Sequence, residues 1–278
     1  MKNLYDNVSA RISKNITNEY STSFSLGIRL LKPSIRPAIY AIYGFVRLAD
    51  EIVDSFHDYN KKELLERFKK ETYLAIEEKI SLNPVLNAFQ HAVHDYNIDL
   101  AHIATFLRSM ESDLKKSEYE QLEYEEYING SAEVVGLMCL KVFCYGDEAE
   151  YSRLESSAMS LGSAFQKINF LRDMKQDTAE LGRIYFPGVD LSEFDMHKKR
   201  EIEADIEKDF KDGLHGIKNL PESSKFGVYV AYIYYYSLFK KIQNTPASEI
   251  LNRRIRISNE HKVGLLGYSY LKYQMRLL

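Results

Sequence analysis

Residues 147–180 read DEAEYSRLESSAMSLGSAFQKINFLRDMKQDTAE. The stretch has no proline and one glycine, and Leu161, Phe165, Ile168 and Leu171 recur at intervals of three and four. That period belongs to an α-helix with a buried face, not to a strand. The signature extends outward, because the prolines fall at 33, 37, 84, 187, 221 and 246 and none lies between Pro84 and Pro187. Strand-rich chains need frequent turns. Here Gly 13 and Pro 6 are roughly 7% of the chain, against about 12% in ordinary usage. Helices are expected near 61–79, 84–96, 99–113, 122–145, 147–180, 195–218, 222–244 and 259–275. Pro33 and Pro37 sit where a first-turn proline opens a helix that reaches about Ser55. The expected fold class is all-α, with residues 1–278 forming one domain, since no repeat, low-complexity tract or linker interrupts them. The loop at 181–194, with its Gly-Arg and Pro-Gly turn signals, divides elements rather than domains.

Composition narrows the function. A net charge of -3, with 45% hydrophobic and 28% charged residues, excludes wholesale disorder. It also argues against a nucleic-acid partner held through phosphates. Cys139 and Cys144 are too few to staple a chain of this size and read as reduced core thiols. They make no zinc site with His91 and His94, which lie far off in sequence. The start, MKNLYDNVSARISKN, lacks the apolar core of a signal peptide. The apolar run Phe226–Phe239 is too short to span a bilayer. These readings predict a cytoplasmic protein, peripheral at most. Its candidate contact with the inner face of the membrane is GLLGYSYLKYQMRLL (264–278), which mixes Leu and Tyr with Lys272 and Arg276 as an interfacial helix does. KKREIEADIEKDFKDG (198–213) is charged on nearly every face and predicts a solvated helix. VYVAYIYYYSLF (228–239) predicts a helix buried on most sides.

The chemistry concentrates on two helix faces. Tyr40, Tyr43, Arg47, Asp50 and Asp54 follow spacings of 3, 4, 3 and 4; Gly162, Gln166, Asn169, Asp173 and Asp177 follow 4, 3, 4 and 4. Each set forms one stripe on a helix. Asp-x-x-x-Asp alone is a weak signal, found at 50/54, 54/58, 95/99, 173/177 and 205/209. Context separates these pairs. Asp50 and Asp54 follow AIYGFVRLA, and Asp173 and Asp177 follow SAFQKINFLR, both otherwise apolar. The pair 205/209 lies in the charged segment, and 95/99 spans a turn. Like charges at i,i+4 cost an exposed helix roughly 0.2–0.5 kcal/mol, whereas a buried unpaired carboxylate costs several kcal/mol. Arg47 and Arg172 are too few to neutralise four aspartates and Glu51. A divalent cation is the economical partner, and all-oxygen ligands favour Mg²⁺ over Zn²⁺. Mg²⁺ completes its shell with phosphate oxygens, which arginine also binds bidentately. The residues therefore point to a metal-bridged diphosphate between two helices. A carboxylate-bridged redox centre would want Glu-x-x-His on facing helices, and the chain has none.

With these faces in view, the chain resembles the squalene/phytoene synthase family, the trans head-to-head prenyl synthases. The resemblance covers nearly the whole length. Its markers are Tyr20-Ser-Thr-Ser-Phe24-Ser, Tyr43-Gly-Phe-Val-Arg47-Leu-Ala-Asp50-Glu-Ile-Val-Asp54, Tyr127-x8-Gly136, Gln166-Lys-Ile-Asn169-Phe-Leu-Arg172-Asp173-x-x-x-Asp177 and Gly-Arg183-Ile-Tyr185-Phe-Pro187. It implies an isoprenoid-synthase helical bundle around a central apolar cavity. It makes Asp50, Asp54, Asn169, Asp173 and Asp177 residues of an Mg²⁺ site, with Mn²⁺ an acceptable substitute. Tyr20, Ser21, Ser23, Phe24, Tyr43, Arg47, Gln166 and Arg172 would hold diphosphate or line its site. Tyr185, Tyr234 and Arg254 would be further substrate contacts. Two departures bear on the first diphosphate pocket. Tyr20 stands where some members carry His, and Ser258–Lys262 is less basic than the tail of many members.

The implied reaction has two ionisations. Arginines and the metal stabilise a departing diphosphate. The allylic cation is captured by a second prenyl diphosphate, and the resulting cyclopropyl diphosphate ionises and rearranges in a dry cavity. Asp50-Glu-Ile-Val-Asp54 resembles the Asp-Glu-Leu-Val-Asp form of bacterial phytoene synthases. That form implies two geranylgeranyl diphosphates as substrates, phytoene as product, and no need for NADPH. Gly27, Ala41 and Gly44 are expected to leave room for the longer chain. Squalene or dehydrosqualene synthesis from farnesyl diphosphate is the alternative, and a non-catalytic binding protein on the same fold is a further one.

Overall fold

The computed structural model of the chain describes residues 2–189 and 194–275. Among them the helices follow one another as α1 (Lys2–Tyr20), α2 (Thr22–Arg29), α3 (Arg36–Asp54), α4 (Lys61–Glu78), α5 (Pro84–Asp95), α6 (Leu100–Asp113), α7 (Gln121–Ile128), α8 (Val134–Phe143), α9 (Glu148–Gln176), α10 (Met196–Lys218), α11 (Glu222–Gln243), α12 (Ala247–Ile250) and α13 (Asn259–Gln274). The described residues contain no strand, only an isolated parallel bridge between Glu118 and Ile184. The all-α expectation holds. The helix starts follow local chemistry. Pro84 opens α5 behind Asn83, whose side chain accepts from Val85 and Leu86. Asp147 caps α9 and Asp195 caps α10 in the same way, satisfying N–H groups that have no partner within the helix.

The buried apolar residues form two clusters. One joins α2–α6 with α8 and is centred on Phe45, which stacks on Phe89 at 4.0 Å between ring centroids. The other joins α7, α9, α10 and α11 with Tyr185, Phe186, Val189 and Phe194. A cavity lies where they meet, with α3 and α8 on one side and α9, α10 and α11 on the other.

Four local features depart from the sequence reading. First, α1 and α2 were not foreseen. The buried face of α1 is Ser9, Ser13 and Thr17, small residues that carry no apolar period. It packs against α3 at Gly44, where an added Cβ would lie 3.1 Å from the Ser13 hydroxyl. Second, the helix expected at 122–145 is broken by a π-helical turn at Asn129–Glu133. Third, α9 gives way to another π turn at Asp177–Leu181, so the regular helix ends where the second stripe does. Fourth, the segment 198–213 is not a solvated helix. Lys199, Glu203, Ile206 and Phe210 are buried. Lys199 pairs with Glu203 and donates to the Gln243 carbonyl at the end of α11. The pair 205/209 is likewise engaged. Asp209 accepts from Ser163 at 2.8 Å and from the buried Lys167 at 2.7 Å, and Asp205 also pairs with Lys167. Two of the charges that made this helix look solvated, Asp205 and Asp209, are docking contacts to α9, while Arg200, Glu201, Lys211 and Asp212 are exposed.

No described helix is long and apolar enough to cross a membrane. α13 packs on α11 through Phe226 and Tyr273, whose ring centroids are 4.9 Å apart. Val263, Leu271 and Met275 on its other side are exposed. Arg276–Leu278, part of the proposed interfacial segment, lie outside the described residues.

The crossing of α2 and α11 is tight. A Cβ at Gly227 would meet the Gly27 carbonyl and Leu31 Cδ2 at 2.6 Å each. Alanine brings about 1 kcal/mol of helix propensity, but overpacking against backbone costs about 1–3 kcal/mol. Gly227→Ala is therefore expected to lower the melting temperature by several degrees, at about 2–4 °C per kcal/mol for a chain near this size. Gly264→Ala on α13, where nothing lies within 4 Å, is expected to hold or raise it. Equal effects in thermal melts would refute the packing account.

Candidate active site

The two polar stripes converge on one end of the cavity, which has a volume of about 490 Å³. α3 brings Tyr43, Arg47 and Asp50 to its wall; α9 brings Gln166, Asn169 and Arg172. Below them the lining turns apolar, through Ile39, Ile42, Val46, Leu140, Leu161 and Ala231. Along α9 the lining runs from Arg172 to Leu154, about 27 Å at a rise of roughly 1.5 Å per residue. α2 contributes Ser21, Phe24, Gly27, Ile28 and Leu31, the three-and-four spacing of one helix face. Ser21 also caps α2, its hydroxyl accepting from the Phe24 N–H at 3.1 Å.

Charge at this end is arranged around arginines. Arg47 pairs with Glu51 and lies over the Tyr20 ring at 4.3 Å. Its Nε is buried without a hydrogen-bond acceptor, as is the Ser131 hydroxyl on the cavity wall. Buried donors without partners are costly, so both suit an incoming acceptor. Arg172 and Arg254 converge on Asp173, with Arg254 Nε 2.7 Å from Oδ1. Arg183 donates to Asp54 Oδ1 at 2.7 Å.

The carboxyls carry the imprint of crowding. Burial, then the neighbouring Asp54, push Asp50 up to about 8 against the pull of Arg47. Burial, then Asp173 and Asp54, push Asp177 up to about 7. Burial takes Asp113 to about 7 despite Arg183. Asp177 therefore feels aspartates on both stripes, and the two faces confront each other. Among the described residues, no three carboxylate, imidazole or thiol side chains gather closely enough to form a metal site. Asp54 is instead paired with Arg183, and Asp173 with both Arg172 and Arg254. The donor chemistry nevertheless suits a hard divalent cation. It is all oxygen, and burial with neighbouring carboxylates holds Asp50 and Asp177 well above the usual carboxylate range, which an added cation would relieve.

Not every candidate reaches the cavity. Tyr20, Ser21, Phe24, Tyr43, Arg47, Asp50, Gln166, Asn169, Arg172 and Arg254 line it; Ser23, Asp54, Asp173, Asp177, Tyr185 and Tyr234 do not. Ser23 sits off the face of α2 set by Ser21 and Phe24. Tyr234 turns away, donating to the Lys262 carbonyl at 2.9 Å. The ring at the cavity is its neighbour Tyr235, which stacks on Phe165 at 4.0 Å and donates to Asn169 Oδ1 at 3.3 Å. One residue along a helix is a turn of about 100°, enough to exchange their roles. Tyr185 is buried against Phe170, ring centroids 4.0 Å apart. Of the three small residues expected to leave room, only Gly27 lines the cavity. Its missing Cβ serves the α2–α11 crossing, 3.2 Å from the Gly227 carbonyl, while Gly44 serves the α1–α3 contact.

Sequence reasoning also missed several groups. Lys262 on α13 bonds Thr22 Oγ1 at 2.9 Å, and burial, with nearby Arg172, depresses its basicity. Asp113 ends α6 and has no motif around it. Arg183 was within a quoted motif, but only its neighbour Tyr185 drew a role.

The profile of the squalene/phytoene synthase family matches residues 17–261. Phytoene synthase 1, chloroplastic, of Solanum lycopersicum is 26% identical over 280 residues, covering 91% of this chain and 66% of its own length. The Zea mays phytoene synthase 1, chloroplastic, is 29% identical over 264 residues, covering 86% of this chain and 62% of its own. The chain thus spans a little under two thirds of these relatives. A dehydrosqualene synthase crystallised with a ligand shares the fold, with a TM-score of 0.81 at 22% identity over 96% of this chain and 98% of that one.

The raised carboxyls set a pH dependence. Free carboxyls titrate near pH 4, so between roughly pH 6.5 and 8.5 the folded chain holds protons that the unfolded chain has released, and stability falls as pH rises. Below that window His102, whose basicity burial lowers, acts in the opposite sense. In chelator the melting temperature should fall from pH 6.5 to 8.5, and Asp50→Asn should flatten the slope. A flat or rising wild-type profile would contradict the assigned electrostatics.

Proposed function

The chain belongs to the squalene/phytoene synthase family, and on that footing we propose that residues 1–278 form one isoprenoid synthase domain acting as a prenyltransferase. The proposed reaction joins two geranylgeranyl diphosphates head to head into phytoene, through a cyclopropyl diphosphate, with release of both diphosphates. One observation carries this reading. A single cavity joins a cation-rich, carboxylate-rich end to an apolar depth, and its lining runs about 27 Å along α9 from Arg172 to Leu154. Covalent geometry gives about 1.25 Å of reach per bond, so a C20 prenyl chain, about 19 Å extended, fits within that length with its diphosphate at the Arg172 end.

In this reading Asp50, Asp54, Asn169, Asp173 and Asp177 hold Mg²⁺, or Mn²⁺ in its place. A bound divalent cation supplies Lewis acidity and neutralises diphosphate charge. The chain's own groups do the rest. Arg47 offers its unpartnered Nε to a diphosphate oxygen. Arg172 and Arg254, now on Asp173, and Lys262 stabilise the departing anion. Tyr43, Phe24, Phe165 and Tyr235 present ring faces to the allylic and cyclopropyl cations, worth about 0.5–2 kcal/mol each. The apolar walls exclude water that would quench those cations. Proton loss ends the sequence, so no NADPH is required.

The substrates are prenyl diphosphates and no nucleic acid is involved. The apolar product argues for a cytoplasmic protein in peripheral contact with the membrane, through the exposed side of α13.

Asp50→Asn and Asp173→Asn should each lower turnover by orders of magnitude while the helical circular dichroism is kept. Near-wild-type activity in either would sink the two-face model. Equal C15 and C20 diphosphates offered together, with extracted hydrocarbon read by mass, test the chain length. Five more carbons at about 0.8 kcal/mol per buried CH₂ favour the C40 product. A C30 excess, or dependence on NADPH, would move the assignment to the farnesyl branch.

A further inference from the structure

Asp113 is a buried carboxylate that the proposed reaction does not use. It closes α6, and its side chain is 3% exposed. Oδ2 accepts from Tyr127 at 2.7 Å, and Oδ1 accepts from Tyr119 at 3.2 Å. The Tyr185 hydroxyl lies 3.5 Å from Oδ1. Arg183, itself 6% exposed, has Nη1 at 3.7 Å from Asp113 Oδ1, and its Nη2 donates to the Asp113 carbonyl at 2.9 Å. The same Nη1 donates to Asp54 Oδ1 at 2.7 Å. One guanidinium thus lies between two carboxylates of unlike freedom. The Asp54 side chain is 37% exposed; Asp113 is walled in by tyrosines. Lys61, the nearby amine on α4, donates to the Val53 carbonyl at 2.9 Å and contacts His57.

A buried guanidinium without a counter-charge is strongly destabilising. If Asp54 were the sole partner of Arg183, turning Asp54 toward a cation would strand that charge. Asp113 removes the conflict, because Arg183 stays paired and hydrogen-bonded whichever way Asp54 faces. We propose that Asp113 is a positioning residue that anchors Arg183 and thereby frees Asp54 to serve the metal–diphosphate site. Through Tyr127, which lines the cavity, it also fixes part of the cavity wall. The inference rests on the reading of the acidic faces given above.

Two variants predict opposite outcomes. Asp113→Asn keeps an oxygen for the tyrosine hydroxyls but removes the charge, so Arg183 holds Asp54 more tightly. Arg183→Gln removes the competitor for Asp54. The readout is thermal protection by Mg²⁺ titrated in the presence of inorganic diphosphate, which needs no turnover. The Mg²⁺ midpoint should rise about tenfold in Asp113→Asn, the scale of one charge-assisted hydrogen bond, and fall in Arg183→Gln. A merely structural role would weaken binding in both. Midpoints that move the same way, or stay at the wild-type value in folded variants, overturn the proposal. If Asp113→Asn does not fold, the direction in Arg183→Gln decides, and the reverse holds. Failure of both to fold would assign the pair to the core and end the proposal. Absence of any protection in the wild type would instead refute the acidic-face reading.

Discussion

The arrangement depends on an unequal contest between buried carboxylates and arginines. α3, α6 and the end of α9 bring Asp50, Asp54, Asp113, Asp173 and Asp177 toward one end of a low-dielectric cavity. Arg47, Arg172, Arg183 and Arg254 answer them incompletely. Asp54 and Asp173 are tied to guanidinium groups, while burial and like charges push Asp50 and Asp177 well above the usual carboxylate range. A bundle built only for stability would fill these positions with apolar side chains, since a buried ion pair seldom repays its desolvation. Asp50 on the cavity wall, backed by aspartates just off it, marks a place prepared for additional charge.

The rest of the bundle makes that place possible through close contacts between small residues. Gly44 meets Ser13 between α1 and α3, and Gly27 meets Gly227 between α2 and α11. Gly216 meets Ser157 between α9 and α10. The last two of these contacts lie in the cavity wall itself, where they fix how closely the helices that bound it approach. Polar bracing adds to this, with Lys167 held by Asp205 and Asp209 across the α9–α10 contact.

The phenol rings divide between two tasks. Tyr119, Tyr127 and Tyr185 gather around Asp113, satisfying a carboxylate out of reach of water. Tyr43 and Tyr235 line the cavity, Tyr235 with its hydroxyl on Asn169 and its ring stacked on Phe165. An aromatic residue with a polar tip can close an apolar wall and still have a hydrogen-bond partner.

The sequence by itself determined the helical class, the main helices from α3 to α11, and the two stripes that converge on the cavity. Each of these follows from a period or a spacing within one helix, which linear order encodes directly. It did not disclose α1, whose buried Ser9, Ser13 and Thr17 lack an apolar rhythm. Nor did it show that Asp205 and Asp209 of α10 are docking contacts, because their partners lie on α9, at Ser163 and Lys167. Tertiary structure alone chose Tyr235 over Tyr234, drew Lys262 to Thr22, and set Arg183 between Asp54 and Asp113, which lie 129 and 70 residues before it. A helical period says which residues share a face. Only packing says what that face meets, because burial and charge pairing are properties of neighbours brought together from distant parts of the chain.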